Sequence, residues 1–539
     1  MLVAGICGGH DANWCFFEDG KMIGAFEKER FSRIRHDSGR VIEYMEQTLH
    51  HFGHEMTDID LIATTEHVHI GTESGLELLE KRCYEKPDEW ITQTAVIKGK
   101  RIPVISIPHH LCHAAYCYYS SQKDEMTVIT WDGGGDFYTI DAYTSSSISI
   151  WKNGKLVNFD RIGNCDIGSL WYIYSQQIFG DGNAAGKLMG LAAKGDDSLV
   201  EEMRKYCRKP VRGGLKDTFG IKNCWPEEEL PLFNTYNDWK MKETQNLAAA
   251  IQKVTTEVGI EMANAAYQQT GIKNFGLSGG VALNGYMNTA IATAVPFQSI
   301  HIPPSVHDGG LSMGAALFAL NHVLGIRNVS MSDSDLVYTG IQYTEQEVAA
   351  VLCDSDFCVD KLTDKEAVAA AADDIIEGKV ISWFEGRSEH GPRALGHRSI
   401  LASPTFENMR ERLNNTIKFR EEFRPIAPVV LEEDIEFCTK DIKRSPFMMH
   451  IVETTPEYQS KCPSGIHFDG TARVQTVKED NPMGRILTCM KGKHAVPSIL
   501  NTSFNVKSPI VETPAEAIET FSKVPFDVMY LEGYRVTKK

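Results

Sequence analysis

The segment L-V-A-G-I-C at residues 2–7, followed by G-G-H-D at residues 8–11, gives the clearest indication of the fold. The apolar run predicts a buried strand, and the paired glycines predict a tight turn after it. A second strand is predicted at residues 14–17, and the D-G pair at 19–20 indicates a hairpin to a third strand at 22–26. Because glycine-rich turns present backbone N–H groups to phosphates, this order predicts a nucleotide-binding α/β domain.

A close counterpart of this opening occurs at residues 128–136, where V-I-T-W is followed by the acidic, glycine-rich turn D-G-G-G-D. Two such openings predict a duplicated domain of the actin/sugar-kinase type. Sequence identity between the two copies is not extensive, so the repeated order of strand and turn carries the prediction.

Two histidines in P-H-H-L-C-H-A, residues 108–114, have helical spacing. His109 and His113 are four residues apart, so a helix projects both imidazoles from one face, whereas His110 points away from that face. Two imidazoles on one face can bind a divalent ion if other ligands arrive from elsewhere in the chain. The alternative is a pair of ordinary histidines at the buried start of a helix.

Glycine and alanine are concentrated in two later segments of the first half of the chain, at residues 182–190 and after the strand predicted at 275–278. Residues 182–190 contain a single Lys among Gly and Ala, which suits either close approach to a nucleotide or tight helix packing. Residues 243–270 predict a long helix ending at a Gly271 C-cap. The strand predicted at 275–278 leads into a Gly-Gly turn that opens a helix, whose N-terminus would favour a phosphate.

The composition changes near residues 327–337, which places a domain boundary there. Beyond it, residues 387–424 concentrate eight Arg and Lys residues in an otherwise acidic chain. Interleaved glutamates leave solvated salt bridges as an alternative, but Arg clustered in a Gly/Pro-punctuated loop favours an anion pocket. In the strand predicted at 499–506, alternation places Asn501, Ser503 and Asn505 on one face.

Length and composition restrict the class of protein. A chain of 539 residues exceeds the size of one hydrophobic core, so we expect two domains, residues 1–335 and 336–539. The net charge of −17 disfavours general nucleic-acid binding. Thirteen cysteines without a C-x-x-C pair, and an N-terminus without a secretory pattern, predict reduced thiols in the cytoplasm. No apolar run is long enough to predict a membrane span.

Taken together, the motifs resemble the NodU/CmcH family of ATP-dependent O-carbamoyltransferases over nearly the whole chain. The motifs are G-H-D-A (9–12), E-K-E-R-F-S-R (27–33), H-H-L-C-H-A-A (109–115), D-G-G-G-D (132–136), G-K-L-M-G-L-A (186–192), S-G-G-V-A-L-N (278–284), G-P-R-A-L-G-H-R-S-I-L-A (391–402), K-F-R-E-E-F-R-P-I-A-P (418–428), D-G-T-A-R-V-Q-T-V (469–477) and N-T-S-F-N (501–505). The loop after N-T-S-F-N is one residue shorter than in many members of that family.

The resemblance implies an N-terminal domain similar to TsaD-type tRNA threonylcarbamoyl transferases and a C-terminal domain with a YrdC-like twisted sheet. The second domain would convert carbamoyl phosphate and ATP to carbamoyl-adenylate and pyrophosphate. The first would transfer the carbamoyl group to an acceptor hydroxyl and release AMP. The implied cofactors are ATP, which Mg²⁺ could accompany, and a divalent metal, with Fe(II) favoured and Mn or Zn as alternatives. The implied partners are carbamoyl phosphate and a hydroxylated acceptor.

Residue by residue, the resemblance assigns four kinds of site. The metal ligands are His109, His113, Asp132 and Asp308. Nucleotide-binding residues are Lys187, Gly279, Gly280, Asn284, Gly309, Arg473, Ser503 and Asn505. Carbamoyl-phosphate-binding residues are Arg387, Arg393, Arg398, Lys418, Arg420, Arg424 and Asn501. Lys418 and Arg420 are also assigned to catalysis. The chemistry itself calls for a base near the acceptor hydroxyl, and His10 in the first turn is the candidate, with Asp11 positioning it or the acceptor; the alternative is a turn histidine that caps its own backbone.

Two other functions stay open from the sequence. A sugar-kinase-type phosphotransferase would use residues 1–330 and leave the cationic second domain without a role. The tRNA-modifying relatives suggest a nucleic-acid hydroxyl, such as a hydroxymethylated base, as the acceptor. We expect acceptor contacts from turns near residues 8–40 and from 205–240; the sequence does not indicate the acceptor's identity or the oligomeric state.

Overall fold

The computed structural model describes all residues except 66–89, 136, 140–141, 144, 163–166, 207–235, 327–330, 354 and 495. Contacts divide the chain into two units. Unit 1 comprises Met1–Glu29 and His36–Ser332, and unit 2 comprises Arg30–Arg35 and Asp333–Lys539. The short segment Arg30–Arg35 therefore belongs with the second unit, although residues on both sides of it belong to the first. Most of the 205–240 region, where acceptor contacts were predicted, lies outside the described residues.

The first sheet of unit 1 begins with the predicted N-terminal strands. Its strand order is β3-β2-β1-β4-β6-β5. The strands are β1 Leu2–Cys7, β2 Asn13–Glu18, β3 Lys21–Glu27, β4 Leu61–Thr65, β5 Ile91–Ile97 and β6 Lys100–Ile107. The hairpin between β2 and β3 turns at Asp19 and Gly20, whose φ values of 48° and 79° are those of a two-residue turn with both central residues left-handed.

The second sheet of unit 1 repeats the pattern of an antiparallel three-stranded meander followed by parallel strands. Its order is β11-β10-β7-β12-β13. The strands are β7 Glu125–Trp131, β10 Ser146–Lys152, β11 Lys155–Arg161, β12 Asn274–Ser278 and β13 Ser299–His301, with a small hairpin of β8 Phe137–Thr139 and β9 Ala142–Tyr143 between β7 and β10. In both sheets the first strand of the meander pairs in parallel with a later strand, β1 with β4 and β7 with β12. The predicted duplication is visible in this shared order.

Nine helices surround these sheets in the described part of unit 1, the first of them crossing into unit 2. They are α1 Lys28–Ser32, α2 Ile42–His51, α3 His109–Ser121, α4 Ile167–Phe179, α5 Ala185–Ala192, α6 Val200–Tyr206, α7 Lys242–Thr270, α8 Gly285–Ala294 and α9 Leu311–Phe318. The predicted end of α7 is confirmed, since Gly271 caps it with φ 65°. The Gly-Gly turn does not open an α-helix directly: a 3₁₀ turn spans Gly280–Leu283, and Asn284 is the N-cap of α8.

Glycines allow α9 to pack closely against its neighbours. A Cβ atom on Gly314 would lie 2.0 Å from the carbonyl oxygen of Cys112 in α3. A Cβ atom on Gly5 in β1 would lie 2.2 Å from the carbonyl oxygen of Ser312 in α9. Any larger residue would force these backbones apart, which explains the small residues of the segment.

Unit 2 is built on one eight-stranded sheet with the order β14-β23-β22-β15-β16-β21-β17-β20. Its strands are β14 Cys358–Lys361, β15 Ile381–Phe384, β16 Arg398–Ala402, β17 Ala427–Leu431, β20 Gln475–Val477, β21 Ile499–Ser503, β22 Val528–Leu531 and β23 Tyr534–Thr537, and a separate pair comprises β18 Ile451–Glu453 and β19 Thr471–Arg473. Alternate residues of β15 enter different cores: Ile381 and Trp383 pack in one, and Phe384 packs in the other. The sheet is therefore covered on both faces.

The helices in the described part of unit 2 are no longer than 13 residues. They are α10 Asp333–Val337, α11 Glu345–Cys353, α12 Asp364–Ile376, α13 Met409–Glu411, α14 Ile435–Cys438, α15 Pro456–Lys461, α16 Pro482–Lys491 and α17 Pro514–Lys523. The predicted capping box at Thr513 is confirmed, because its hydroxyl accepts from the Glu516 N–H while the Glu516 carboxylate accepts from the Thr513 N–H. Across the described residues of both units, no helix is long and apolar enough to cross a membrane.

Candidate active sites

Helix α3 starts at His109, directly after β6 and Pro108, and both of its predicted ligands lie on one face. The Nε2 atoms of His109 and His113 are 3.2 Å apart. His110 lies outside this pair, because its Nδ1 contacts the hydroxyl of Ser147 at 3.0 Å. The helical spacing read from the sequence therefore produces the expected convergence.

Two carboxylates from distant parts of unit 1 meet the imidazoles. Asp132 follows β7, and Asp308 starts the 3₁₀ turn that precedes α9. The Nε2 atom of His113 lies 2.9 Å from Asp132 Oδ2 and 3.3 Å from Asp308 Oδ1. The Nε2 atom of His109 lies 3.5 Å from each of the same two oxygens. All four predicted ligands thus share one centre, with their ligand atoms within 4.8 Å of one another.

The spacing of these four atoms fits a divalent ion. Ligand atoms held about 2.0–2.1 Å from an ion in a tetrahedral arrangement lie about 3.3–3.4 Å apart. The five measured separations run from 2.9 to 3.5 Å. Two imidazole nitrogens and two carboxylate oxygens form a donor set of intermediate hardness, which suits iron, manganese or zinc.

Hydrogen bonds between the imidazoles and the carboxylates shift the pKa values of this centre. Burial alone would raise the pKa of Asp132, but hydrogen bonds from His109 and His113 outweigh it and hold the pKa well below its ordinary value. Burial alone would lower the pKa of His113, but hydrogen bonds to Asp132 and Asp308 outweigh it and raise the pKa. Because a ligating imidazole nitrogen must be unprotonated, ions and protons compete for the site.

The predicted nucleotide-binding residues of unit 1 have different surroundings. Gly280 borders the four-ligand centre, since a Cβ atom there would lie 3.0 Å from Asp132 Oδ1. Gly279, with φ 89°, approaches the carbonyl oxygen of Trp131 so closely that a Cβ atom would lie 2.3 Å from it. A Cβ atom on Gly309 would lie 2.7 Å from Glu27 Oε1. These three glycines therefore allow close approach of the backbone to the centre or to its neighbours, with Gly280 partly exposed and the other two buried.

Lys187 and Asn284 are engaged within the protein. The ammonium of Lys187 lies 5.5 Å from the centre of the Phe179 ring. The Asn284 amide exchanges two 3.0 Å hydrogen bonds with Gln252 and accepts another from the Met287 N–H. Nucleotide binding by these two residues stays a prediction.

Asp11 lies between two imidazoles. His10 Nδ1 lies 2.9 Å from Asp11 Oδ2, and His36 Nδ1 lies 2.8 Å from Asp11 Oδ1. Hydrogen bonding to Asp11 raises the pKa of His10 to about 9, although burial opposes the shift. Burial would raise the pKa of Asp11, but the hydrogen bonds from both histidines hold it below its ordinary value. His10 is therefore an imidazolium at neutral pH in this arrangement.

Sequence reasoning did not find His36 or His307. His36 adopts a left-handed backbone with φ 54°, a conformation that the sequence pattern does not reveal. His307 Nε2 lies 3.7 Å from Glu27 Oε1 and 3.9 Å from Asp11 Oδ2. In the sequence, only the position of His307 directly before the predicted ligand Asp308 indicated that it would lie near the site.

The predicted Lys418 site of unit 2 contains the two polar residues paired with it in the sequence analysis. The ammonium of Lys418 donates to the Ser503 carbonyl at 2.7 Å, the Ser503 hydroxyl at 3.2 Å and the Asn505 carbonyl at 2.8 Å, and also to the Asn505 side chain. None of these four acceptors is a carboxylate. Strand β21 ends at Ser503, so the predicted alternation holds for Asn501 and Ser503, while Asn505 reaches Lys418 from the turn that follows.

Two nearby guanidinium groups, those of Arg420 and Arg424, repel the Lys418 ammonium, and Arg393 and Arg473 interact in turn with these two arginines. We call Lys418, Arg393, Arg420, Arg424 and Arg473 the cation cluster. Burial, followed by repulsion from Arg424, lowers the pKa of Arg393 to about 10 and that of Arg420 to about 9. Burial and repulsion from three of these arginines hold the pKa of Arg473 well below its ordinary value. The Nε atoms of Arg393 and Arg473 are buried and have no hydrogen-bond partner among the described residues.

The structure places the other predicted carbamoyl-phosphate residues outside the cation cluster. Arg398 stacks over Phe384, with its guanidinium carbon 3.5 Å from the ring centre, and donates to the carbonyls of Glu385 and Gly386. Arg387 donates to the Gly340 carbonyl at 2.7 Å. These two arginines shape the loop before β16.

The Asn501 amide N–H is also engaged, donating to the Ala394 carbonyl at 2.9 Å and to Gln475 Oε1 at 3.0 Å. Its Oδ1 atom is buried without a partner among the described residues. The unpartnered atom of Asn501 is therefore a hydrogen-bond acceptor, which does not suit an anion, while its amide nitrogen already donates twice within the protein.

Two family models match the chain. Residues 72–317 match the family described as Carbamoyltransferase N-terminus, and residues 372–538 match Carbamoyltransferase C-terminus. The chain belongs to the carbamoyltransferase family. It is therefore a transferase enzyme, and the NodU/CmcH resemblance predicted from the motifs is confirmed.

Individual relatives cover most of this carbamoyltransferase. Nodulation protein NolNO of Sinorhizobium fredii is 30% identical, over 98% of this chain and 79% of the relative. The 3'-hydroxymethylcephem-O-carbamoyltransferase of Amycolatopsis lactamdurans is 27% identical, over 94% of this chain and 93% of the relative. Among solved structures, full-length HypF in a phosphate- and nucleotide-bound form has a TM-score of 0.37 and 16% identity, covering 59% of this chain and 55% of HypF.

Proposed function

We propose that this carbamoyltransferase is an ATP-dependent O-carbamoyltransferase in which unit 2 makes carbamoyl-adenylate and unit 1 transfers the carbamoyl group to a hydroxyl. The cation cluster of unit 2 is the observation that carries the proposal. Carbamoyl phosphate and ATP both bring several negative charges, and a site whose cations already depress one another's pKa values gains most from such ligands.

The proposed chemistry of unit 2 balances with one water molecule. Water releases phosphate from carbamoyl phosphate and leaves carbamate. A carbamate oxygen then attacks the α-phosphorus of ATP, forming the P–O bond of carbamoyl-adenylate and breaking the bond to pyrophosphate. The products are carbamoyl-adenylate, pyrophosphate and phosphate. All three carry negative charge, which the cation cluster offsets through preorganised donors.

Individual residues of the cation cluster have distinct proposed roles. Lys418, held by Ser503 and Asn505, presents its charge at a fixed position. Arg420 is oriented by the Asn414 side chain, which accepts from its Nε at 2.8 Å. Arg393 and Arg473 keep buried N–H groups without partners among the described residues, so those groups are available to phosphate oxygens.

In unit 1, His109, His113, Asp132 and Asp308 would hold the divalent ion. When bound, such an ion supplies Lewis-acid polarisation of a carbonyl or phosphoryl oxygen. The acceptor oxygen attacks the carbamoyl carbon, the bond to the adenylate oxygen breaks, and AMP leaves. We assign the acceptor proton to His10, which Asp11 orients. Because the pKa of His10 is about 9, the fraction of His10 that is unprotonated and can accept this proton increases as the pH rises towards 9.

The acceptor is proposed to be a small hydroxylated metabolite, a sugar or an antibiotic-like molecule. The relative from Amycolatopsis lactamdurans is named for a hydroxymethyl acceptor, which supports oxygen rather than nitrogen as the acceptor atom. AMP next to the ion-binding centre would approach the partly exposed backbone at Gly280, where a side chain would meet Asp132.

Product analysis tests the proposal on the full-length protein. Incubation with ATP, Mg²⁺ and carbamoyl phosphate should give pyrophosphate and phosphate, together with an equal amount of AMP as water hydrolyses the adenylate in the absence of an acceptor. Labelled pyrophosphate should exchange into ATP only when carbamoyl phosphate is present. A sugar-kinase-type phosphotransferase would instead give ADP with a sugar and no pyrophosphate. Absence of AMP and of exchange in metal-loaded protein would refute adenylate formation.

A further inference from the structure

The segment Arg30–Arg35 supplies two arginines that hold one turn of unit 2. Arg33 donates to the carbonyls of Pro509 at 2.7 Å and Ile510 at 2.9 Å. Arg35 donates through Nε to the Lys507 carbonyl at 2.9 Å and through a terminal nitrogen to the Ser508 carbonyl at 3.2 Å. Consecutive carbonyls of the turn that follows Asn505 are thus bound by two side chains from the same short segment.

Arg35 is connected to the cation cluster through that turn. The Ser508 carbonyl that accepts from Arg35 also accepts from the Asn505 amide at 2.6 Å. The other end of the same amide accepts from Lys418. Only neutral oxygens and one amide therefore separate the guanidinium of Arg35 from the ammonium of Lys418.

The charge of Arg35 acts on the cation cluster, and that of Arg33 is offset. Burial is the largest cause of the lowered pKa values of Lys418, Arg420 and Arg424, and repulsion from Arg35 adds to the lowering in each of the three. Arg33 instead lies 3.2 Å from the carboxylate of Glu516. Among the residues that the structure describes, Arg35 forms no ion pair, and one terminal nitrogen of its exposed guanidinium makes no hydrogen bond.

We propose that Arg35 is an anion-binding residue of the unit 2 site, contributing a sixth cation for the phosphate groups of the donor substrates. Its two bonds to carbonyls orient the guanidinium, and the remaining N–H groups are free to donate to phosphate oxygens. Repulsion from the cation cluster is relieved once such an anion is present. The identity of the anion as a substrate phosphate rests on the proposed function.

Titration of inorganic pyrophosphate into the full-length protein tests this role without catalysis. Arg35→Gln removes the charge but keeps a hydrogen-bonding side chain, and we expect pyrophosphate to bind about tenfold more weakly, since a charge-assisted hydrogen bond is lost. Arg35→Lys keeps the charge and should retain most of the affinity. The salt dependence of binding should also become shallower in Arg35→Gln.

Arg33→Gln is the matched control, because Arg33 holds the same turn while its charge is paired with Glu516. We expect a lower melting temperature and pyrophosphate affinity within about twofold of the wild type. Unchanged pyrophosphate affinity in folded Arg35→Gln would overturn the proposal. An equal loss in Arg33→Gln would also overturn it, because the turn rather than the charge would then be responsible.

The outcome is separable from that of the proposed function. If the wild-type protein forms no AMP while Arg35→Gln still weakens pyrophosphate binding, adenylate formation fails and the anion-binding role stands. If the wild type forms AMP and Arg35→Gln binds pyrophosphate normally, only the role of Arg35 fails.

Discussion

The Nε2 atom of His113, inside helix α3, lies 2.9 Å from the Oδ2 atom of Asp132, which directly follows strand β7. Helix α3 and strand β7 bring them together, and the turn before α9 adds Asp308. The proposed ion-binding centre of unit 1 is therefore held by elements of both of its sheets, whereas the cation cluster is held within unit 2.

Removal of one proposed ligand should separate the two half-reactions. We expect His113→Ala to lower the metal bound per chain by more than about tenfold, because changes even to residues that support a ligand cost about 10–100-fold. Pyrophosphate formation in unit 2 should persist. Metal analysis after loading with Fe(II), Mn(II) or Zn(II) and dialysis, together with a pyrophosphate assay, measures both effects.

The neighbouring His110 gives a control on the same helix, since it contacts Ser147 and lies outside the ligand set. His110→Gln should keep its metal. Equal metal loss in the two variants would show that α3 as a whole, not the pair His109 and His113, determines binding.

Removal of Lys418 should have the opposite effect. Lys418→Met removes the ammonium that donates to four oxygens of Ser503 and Asn505, and with it a buried positive charge. We expect pyrophosphate–ATP exchange to fall at least about a hundredfold, because a charged donor to a developing anion contributes about 3 kcal/mol or more. Metal content should not change.

Arg412→Gln is the matched control for Lys418→Met. Arg412 belongs to the same cationic stretch of sequence but pairs with Asp527 at 2.8 Å near the surface. Exchange in this variant should stay within about twofold of the wild type. If Lys418→Met and Arg412→Gln lose exchange equally, the cation cluster is not the adenylate-forming site.

The cation cluster predicts a pH dependence of anion binding. Arg420 and Arg393 have pKa values lowered to about 9 and about 10, so they lose their protons at lower pH than an exposed arginine does. In the absence of anions, burial of these charges and repulsion from Arg424 destabilise the fold below these pH values, and the effect is relieved as the pH rises through them. Stabilisation by a bound anion should accordingly be large at pH 7 and decrease between pH 9 and 10.

Sulfate is the appropriate probe, because its charge is constant over this range. Thermal unfolding in sulfate and in chloride at equal ionic strength, from pH 7 to pH 10, measures the difference in melting temperature. A sulfate effect that does not change up to pH 10 would contradict the assigned ionisations.

The pair of His10 and Asp11 predicts a direct titration result. His10 should titrate near pH 9 in the wild type, and Asp11→Asn should move its pKa down towards the ordinary value of about 6.5, because the hydrogen bond to a carboxylate is lost. NMR of ¹³C-labelled histidine, with the His10 signal identified by its absence in His10→Gln, measures both values.

The same pair has a signature in stability. A histidine whose pKa is raised on folding contributes stability that is present below about pH 6.5 and lost as the pH rises through about 9. Asp11→Asn should therefore lower the melting temperature more at pH 6 than at pH 10. A constant difference would mean that the carboxylate acts only as a hydrogen-bond acceptor.

Local patterns in the sequence were enough for much of the secondary structure. The strand at 2–7, the D-G hairpin and the end of the long helix at Gly271 depend on neighbouring residues, and each is present as predicted. The extent of β21 was wrong by three residues, because the sequence shows alternation but not the turn that Lys418 holds at Ser503 and Asn505.

The candidate sites needed information of longer range. Helical spacing predicted that His109 and His113 would share a face, and the family resemblance added Asp132 and Asp308. Their separations of about 3 Å result from the packing of β7 and the turn before α9 against α3.

The sequence alone determined three features: the strand-turn openings, the two histidines on one helical face and the concentration of cations at 387–424. Each of them depends on short-range periodicity or composition. Tertiary structure alone decides which cations share a site: Arg420 and Arg424 act on Lys418 and on Arg473, while Arg387 and Arg398 bind backbone carbonyls. It also assigns Arg35 to unit 2 and His36 to unit 1, although they are adjacent in the chain. Hydrogen-bond partners and long-range charge depend on distances that folding creates, and these distances are not encoded in local spacing.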